Sequence, residues 1–554
     1  MAGRPCEGVR ESWAEDKPNK FGNYNRFNCL TSTDVVARFI GLSRLIGYIK
    51  VISMILLDTL KKITAEGLAF IKTQKDVSDA EIFVSSISHL LCRINYTSSI
   101  PCNGVEEPKS TLSYGIGVQA VFKEGNRKRI GFGSSSGDTS MEGVKNALEK
   151  ARLSAVEDPD FHSLPAPSGP PVLEQGYHDA GFMDIGAEGL VELGWRALEG
   201  ALNTFKEHNM MESIIVGGDV SIVQERMAIA STTGIAAWDE AAHASAAMTT
   251  MIESDNAKGS GWGVGIRLGD FAPEDAGRTA ALSAIHSRQG RRLPSGRYKL
   301  ILGAQPVADL LGNIILPSLT LSVVDAASST FLGKYGKEVA DRRLTVYDDA
   351  ARRSLPMSRR YTCEGLPTGR TDLIKDGVLV GFLSNHYYRS KVLNDPSSGG
   401  KIGVAPATIE KAFSPRNGFR SGESMIRNFA GRPSIVPTNV IVEGSETVPS
   451  DDLVQRVGDG LYIGRIWYTY PINGLLAGDF TCTVVGDSYI IEGGRIAAPL
   501  KTNSVRIADN IHNLLNQVIG MTGDRKPALL WGSPEVIYSP EIAVRDISLH
   551  AIGG

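Results

Sequence analysis

Apolar side chains recur at Leu56, Leu60, Ile63, Leu68 and Ile71, three to five residues apart, so Met54 to Gln74 reads as an amphipathic helix. Ala80 to Ile87 and Leu112 to Phe122 read as strands, and a turn at Glu124-Gly125-Asn126 folds the second back into Arg129 to Phe132. A helix then opens at Asp138. Thr139 and Glu142 have capping-box spacing, and Met141, Val144, Leu148, Ala151 and Ala155 form its buried stripe. Four prolines between Leu164 and Pro171 can continue neither a helix nor a ladder, so this stretch is a linker.

Beyond the linker, Val191, Trp195, Leu198, Leu202 and Phe205 mark a second periodic helix. Strands follow at Ile214 to Gln224, Arg226 to Thr232 and His243 to Ser254. From Pro294 onward β patterns dominate: Lys299 to Leu302, Val440 to Val442, Leu461 to Ile463, Thr481 to Val485 and Tyr489 to Ile491. Leu373 to Lys375 meets Val378 to Val380 across Asp376-Gly377, a hairpin dipeptide. Helices interrupt the pattern at Val307 to Leu316 and Arg506 to Gly520. The fold class is α+β. The expected organisation is an extension over 1–53, small α+β units over 54–165 and 172–290, and a β-rich C-terminal domain over 294–554.

Composition narrows the function. The 58 basic and 61 acidic side chains leave a net charge of −3, without the basic excess that a nucleic-acid surface requires. The six cysteines lie far apart with no CxxC pair, so neither a zinc ribbon nor a disulfide framework is expected, and reduced thiols point to the cytoplasm. Residues 1–28 carry no apolar core of a secretory signal. Val35 to Leu57 is apolar but interrupted by Arg38, Arg44 and Lys50, each costly at a bilayer centre, so no membrane span is expected. An amphipathic surface helix is the alternative reading of that stretch.

Recognisable catalytic chemistry is scarce. None of the nine histidines is followed by Glu, so no HExxH or HExxxH motif exists, and no two lie within ten residues. Gly133-Ser134-Ser135-Ser136-Gly137 matches the letters of a nucleophile elbow, but a small-residue turn between hairpin and helix explains it. Gly259-Ser260-Gly261-Trp262-Gly263-Val264-Gly265 fits no phosphate-binding motif; alternating glycine lets another backbone or a ligand approach a strand closely, and packing is the preferred explanation. Tyr468-Thr469-Tyr470-Pro471-Ile472-Asn473 followed by Gly478-Asp479 gathers aromatic, amide and carboxylate groups on a loop, where binding residues tend to sit. Cys482 lies mid-strand and reads as a buried structural thiol.

Several segments resemble the TldD/PmbA peptidase family, in order, from about Met54 to the end. They include Thr330-Phe331-Leu332-Gly333-Lys334-Tyr335-Gly336-Lys337-Glu338-Val339, Leu344-Thr345-Val346-Tyr347-Asp348-Asp349 and Gly365-Leu366-Pro367-Thr368-Gly369-Arg370-Thr371. Pro437-Thr438-Asn439-Val440, Gly460-Leu461-Tyr462-Ile463 and Ile491-Glu492-Gly493-Gly494-Arg495-Ile496 continue the series. One branch of that family carries HExxxH on a helix and a late Cys as a further zinc ligand. Here the corresponding helix begins Gln305-Pro306-Val307-Ala308-Asp309, and the late position reads Leu530-Trp531-Gly532. The resemblance therefore implies the metal-free (TldE) branch: no cofactor in this chain, a zinc-bearing sister subunit as partner, and unfolded peptide as substrate of the pair. Tyr468, Asn473 and Asp479 are its candidate cleft residues. Two other readings stay open, a self-sufficient hydrolase using Cys482 or Ser135 and a peptide-binding homodimer.

Overall fold

A computed structural model describes residues 54–553 apart from 101–102, 126 and 423–424. The extension over 1–53, including most of the apolar stretch from Val35, lies outside the described residues.

The first half is built twice on one plan. Helix α1 (Leu57–Lys72) precedes strands β1 (Val77–Thr97), β2 (Lys109–Glu124) and β3 (Arg127–Ser136), and helix α2 (Met141–Leu153) closes the unit. Helix α3 (Ala187–Glu207), strands β4 (Ile214–Ser231), β5 (Ala236–Ile252) and β6 (Ala257–Gly265), and helix α4 (Pro273–His286) repeat it. Where the sequence suggests two separate units, the structure joins them in one antiparallel sheet, ordered β3-β2-β1-β4-β5-β6. The joint is a β1–β4 ladder running from Glu81 opposite Ser231 to Thr97 opposite Ile215. A 17-residue ladder shared by both halves removes two unpaired sheet edges at once.

Strand alternation decides what each face meets. On β1, Ile82, Val84, Cys92 and Ile94 point to the helices; the first two pack with Leu60, Ile63, Leu68 and Ile71 of α1, the last two with α3. Two glycine pairs let α2 and α4 lie flat on the sheet. A Cβ at Gly131 or Gly133 would overlap the carbonyls of Ala151 or Ala147, and one at Gly259 or Gly261 those of Ala280 or Ala276. Packing thus accounts for these two glycines of the Gly-Ser-Gly-Trp-Gly run. The N-cap of α2 is Ser140, which accepts from the Glu142 and Gly143 amides, rather than Thr139.

The opposite face of the sheet carries Phe83, Met227 and Ile229 and is covered by Met357, Cys363, Leu366, Phe419 and Ile426 from the second half. Three carboxylates on that face meet three buried arginines: Glu81 with Arg420 (2.7 Å), Glu225 with Arg359 (2.6 Å) and Asp239 with Arg427.

The second half holds two further sheets. One is ordered, after a short strand at Val378–Leu379, β9 (Arg370–Lys375), β8 (Leu344–Asp349), β10 (Asn439–Gly444), β16 (Val536–Ser539) and β15 (Lys526–Leu529). In the other, strands β7 (Gly296–Leu302), β11 (Gly460–Pro471), β12 (Asp479–Glu492), β14 (Val505–Asn510) and β17 (Ile542–Ala551) close on themselves, in the order β11-β7-β17-β14-β12 with β12 paired back to β11. β13 (Arg495–Pro499) extends that ring from β12. Leu300, Leu302, Ile463, Phe480, Val484, Ile507 and Val544 join its core. Helix α5 (Ala304–Leu310) follows β7 and runs on through a π turn over Leu311–Ile315 to Ser318. α6 (Ser450–Val457) precedes β11. The helix expected over Arg506 to Gly520 is mostly strand: β14, a short α7 (Ile511–Asn516) and a strand at Val518–Met521. The α+β class with a β-rich second half stands.

Candidate functional site at the α5–β11 groove

Helix α5, on which the resemblance would place the zinc ligands of the other branch, packs against β11. Gln305 grips the strand in both directions, donating to Ile466 O (3.2 Å) and accepting from Ile466 N (2.9 Å). One turn on, Asp309 accepts from Thr469 Oγ1 and from Asn313 Nδ2 (3.2 Å), and burial pushes its carboxyl above the ordinary range. Gly312 sits on the π turn because a side chain there would overlap Leu530. A π turn inside an α-helix often marks a functional position. Glu535 reaches the same turn, and burial pushes its carboxyl up to about 7. Among the described residues no group of three or more His, Cys, Asp or Glu side chains is placed to hold a metal ion.

Arg465 of β11 points across to β6, where its Nη1 donates to Ser260 Oγ (2.6 Å). Its guanidinium lies 5.8 Å from the Trp262 ring and 5.9 Å from the Trp467 ring. Trp467 also touches Tyr468 (5.8 Å) and Trp531 (6.3 Å), edge to face. Trp531 is 85% exposed and Tyr468 73%, and Tyr470, Ile472 and Leu476 on the same hairpin are exposed too. Such an apolar rim beside buried charge is the composition of a recognition surface.

The three residues singled out from sequence separate into two places. Asn473 Nδ2 donates to Asp479 (3.0 Å), and Asn510, which caps α7, donates to the other carboxylate oxygen (2.9 Å). These bonds hold the Asp479 carboxyl below its usual range and brace the hairpin. Tyr468 hydrogen-bonds to neither and belongs to the aromatic rim. Its φ of +55° is a left-handed backbone for a bulky residue.

The candidate nucleophiles are shut away. Cys482 is buried inside the ring, and burial raises its thiol far above the normal range, opposite to what a thiolate nucleophile needs. Ser135 is buried in the β3 ladder opposite Ile116 and makes no bond to a histidine. Sequence reading missed Arg465, Trp262 and Glu535. The one signal was a lone arginine inside the aromatic strand Gly464-Arg465-Ile466-Trp467-Tyr468.

Comparison with known proteins bears on this geometry. Residues 295–551 match the PmbA/TldA metallopeptidase C-terminal domain, and residues 103–155 match PmbA/TldA metallopeptidase domain 1; together these span more than half the chain. An uncharacterised protein of Methanocaldococcus jannaschii is 24% identical over 458 residues, 81% of this chain and 94% of that protein. A metalloprotease TldD homolog of Haemophilus influenzae is 24% identical over 326 residues, 56% of this chain and 60% of that one. Among solved structures, TldE of Thermococcus kodakarensis superposes with a TM-score of 0.70 at 17% identity, over 89% of this chain and all of that one. At that identity the superposition speaks to the fold.

Proposed function

We propose a role for this chain within the family to which it belongs, the PmbA/TldD metallopeptidases: it is the metal-free subunit of a two-subunit peptidase, working beside a zinc-bearing sister that cleaves unfolded peptides. One observation carries the reading. The helix face that would present zinc ligands instead presents Gln305 and Asp309, both committed to hydrogen bonds with β11. Zinc-assisted hydrolysis needs a Lewis acid, an activated water and a general base, and these residues supply no such set. A subunit of this kind contributes by walling a cleft and orienting an extended peptide, since positioning lowers a barrier by several kcal/mol. Tyr468, with Trp467 and Trp531, is the part of this chain that meets the peptide, and the Asn473–Asp479 pair holds the hairpin that presents it.

Purified chain, sister subunit and a mixture of the two, each assayed for cleavage of an unstructured peptide with and without chelator, test the proposal. Cleavage only by the mixture, abolished by chelator, is the expected result. Chelator-resistant cleavage by this chain alone would replace the reading with a self-sufficient hydrolase. Cys482→Ala and Ser135→Ala are expected to leave the paired activity intact.

A further inference from the structure

Lys334 is a half-buried amine aimed at an imidazole rather than at a carboxylate. Its Nζ lies 3.0 Å from Nε2 of His512, and Thr330 Oγ1 lies 2.7 Å from the same nitrogen. The surroundings hold all three in place. Thr330 is buried, the Phe331 ring meets the His512 ring edge to face at 5.8 Å, and the His512 amide donates to Asn510 Oδ1 (2.9 Å). Lys401, whose carbonyl accepts from the Gly333 amide, is differently placed, since its ammonium meets Asp325 at 3.0 Å. Among the described residues no carboxylate pairs with Lys334 or His512, and the charge that acts on the amine is another cation, Lys337.

An imidazole nitrogen has one in-plane position, filled by a lone pair or by a hydrogen. As a lone pair, Nε2 is well met by the hydroxyl or by an ammonium, but not by both. As N–H, it donates to Thr330 Oγ1 and repels an ammonium. An uncharged Nζ removes the conflict in either case. Burial, and then Lys337, act in the same direction and hold the amine below the usual lysine range. Burial, and then Lys334, hold the His512 ring below the usual imidazole range. A lysine desolvated beside another cation is a nucleophile, and this one keeps part of its surface open to solvent. We propose that Lys334 is a site of covalent acylation, taking the acyl group of a small acyl thioester. The Nζ lone pair attacks the thioester carbonyl carbon, a C–N bond forms, and the C–S bond breaks as the thiolate leaves. The proton lost from nitrogen goes to the thiolate, so the products are an amide and a free thiol. His512 Nε2 is the nearby base that relays this proton when it carries the lone pair. Acylation removes the charge at position 334. It does so against the base of the aromatic hairpin, because Thr330 Oγ1 lies within 2.8 Å of where a Cβ on Gly478 would stand. The inference depends on neither zinc nor a sister subunit.

The test is competitive labelling of the full chain. The folded protein receives a trace of isotopically light acetyl thioester of N-acetylcysteamine at a series of pH values. It is then denatured and acetylated to completion with heavy reagent, and mass spectrometry reads the light fraction at each lysine. Lys72 and Lys206, both exposed, are the internal comparators. Lys334 is expected to reach half its maximal rate about one pH unit or more below them, and to label about threefold or more faster than either at pH 7.5, the gain in free amine being partly offset by its lower basicity. A pH midpoint equal to theirs, or a rate at pH 7.5 no greater than theirs, would overturn the proposal, and that comparison needs no variant to fold. His512→Gln supplies an amide oxygen that accepts from an ammonium, and is expected to move the Lys334 midpoint up to that of the comparators. An unmoved midpoint in that variant would overturn the role given to the imidazole.

Discussion

The covered face of the sheet and the α5–β11 groove both bury charge, and they do it in opposite ways. On the sheet, each carboxylate is met by an arginine from the second half of the chain, and Glu225 lies under the influence of two. Burial alone would push the Glu225 carboxyl up, but Arg359 and Arg427 outweigh it and hold it below the ordinary range. In the groove, Asp309, Glu535 and Arg465 form no ion pair among the described residues, and burial raises both carboxyls. The first arrangement closes a joint: each ion pair ties residue 81, 225 or 239 to residue 420, 359 or 427. The second uses neutral partners instead: Asp309 accepts from Thr469 and Asn313, and Arg465 donates to Ser260.

The largest effect that separates the two is loss of stability. Arg359→Ala strands a fully buried Glu225, and removing one partner of such a pair costs about 3–5 kcal/mol. The urea midpoint is expected to drop accordingly. Replacing both partners, as in Arg359→Met with Glu225→Leu, is expected to recover much of that loss. Arg465→Met is the contrast: with no ion pair to break, it is expected to leave the midpoint unchanged or raised, and an equal loss at both arginines would erase the distinction.

The next effect is a pH dependence from buried carboxyls with no cation in contact. Burial pushes Asp348 up to about 7, Glu364 up to about 8 and Glu535 up to about 7. A carboxyl whose folded pKa exceeds its unfolded value contributes stability that is complete below the unfolded value and is lost as pH rises through the folded one. Stability is therefore expected to fall between about pH 5 and pH 9. Glu364 accepts from the His386 amide at 3.1 Å, and Glu364→Gln keeps an acceptor while abolishing titration. That variant is expected to flatten the fall by an amount on the order of 3 kcal/mol. An unchanged slope would count against a protonated Glu364 in the folded state.

Smaller again is the cost of refilling a glycine. Gly261→Ala drives a methyl into the Ala276 carbonyl and is expected to destabilise by about 1–3 kcal/mol, whereas Gly269→Ala faces open space and is expected to stay within about 0.5 kcal/mol. Thermal melts of both variants decide it.

What the sequence disclosed, and what it hid, follows the range of the interactions involved. Helix stripes such as Leu60-Ile63-Leu68-Ile71 and the Asp376-Gly377 hairpin, whose two residues adopt φ of 48° and 78°, are local and were legible. The union of the two α+β units was not, because β1 and β4 meet across more than a hundred residues and no local pattern encodes that pairing. The Arg506 to Gly520 stretch has helical composition, but the ladders of β14 with β12 and β17 override it. The aromatic hairpin stood out as a binding loop, yet Arg465 did not. A charged residue in an alternating strand looks like an ordinary solvent-facing position until β6 folds over it and Ser260 accepts from its Nη1.

The smallest stability effect is also the one that most cleanly divides scaffold from site. Tyr468 holds a left-handed backbone at φ +55°, which costs a bulky residue about 1 kcal/mol and costs glycine almost nothing. Its ring is mostly exposed and returns only the edge contact with Trp467. Tyr468→Gly is therefore expected to match the wild type or exceed it by up to about 1 kcal/mol, and Tyr468→Ala, which keeps the strained backbone and loses the ring, to fall slightly below. If the ring is there to meet peptide, both variants lose affinity for a fluorescently labelled unstructured peptide to a similar extent despite their opposite effects on stability. A scaffold residue behaves otherwise, with binding tracking the melting temperature. Measuring the two quantities on the same three proteins separates these outcomes, and a Tyr468→Gly variant that is more stable and binds as well as wild type would remove Tyr468 from the recognition surface.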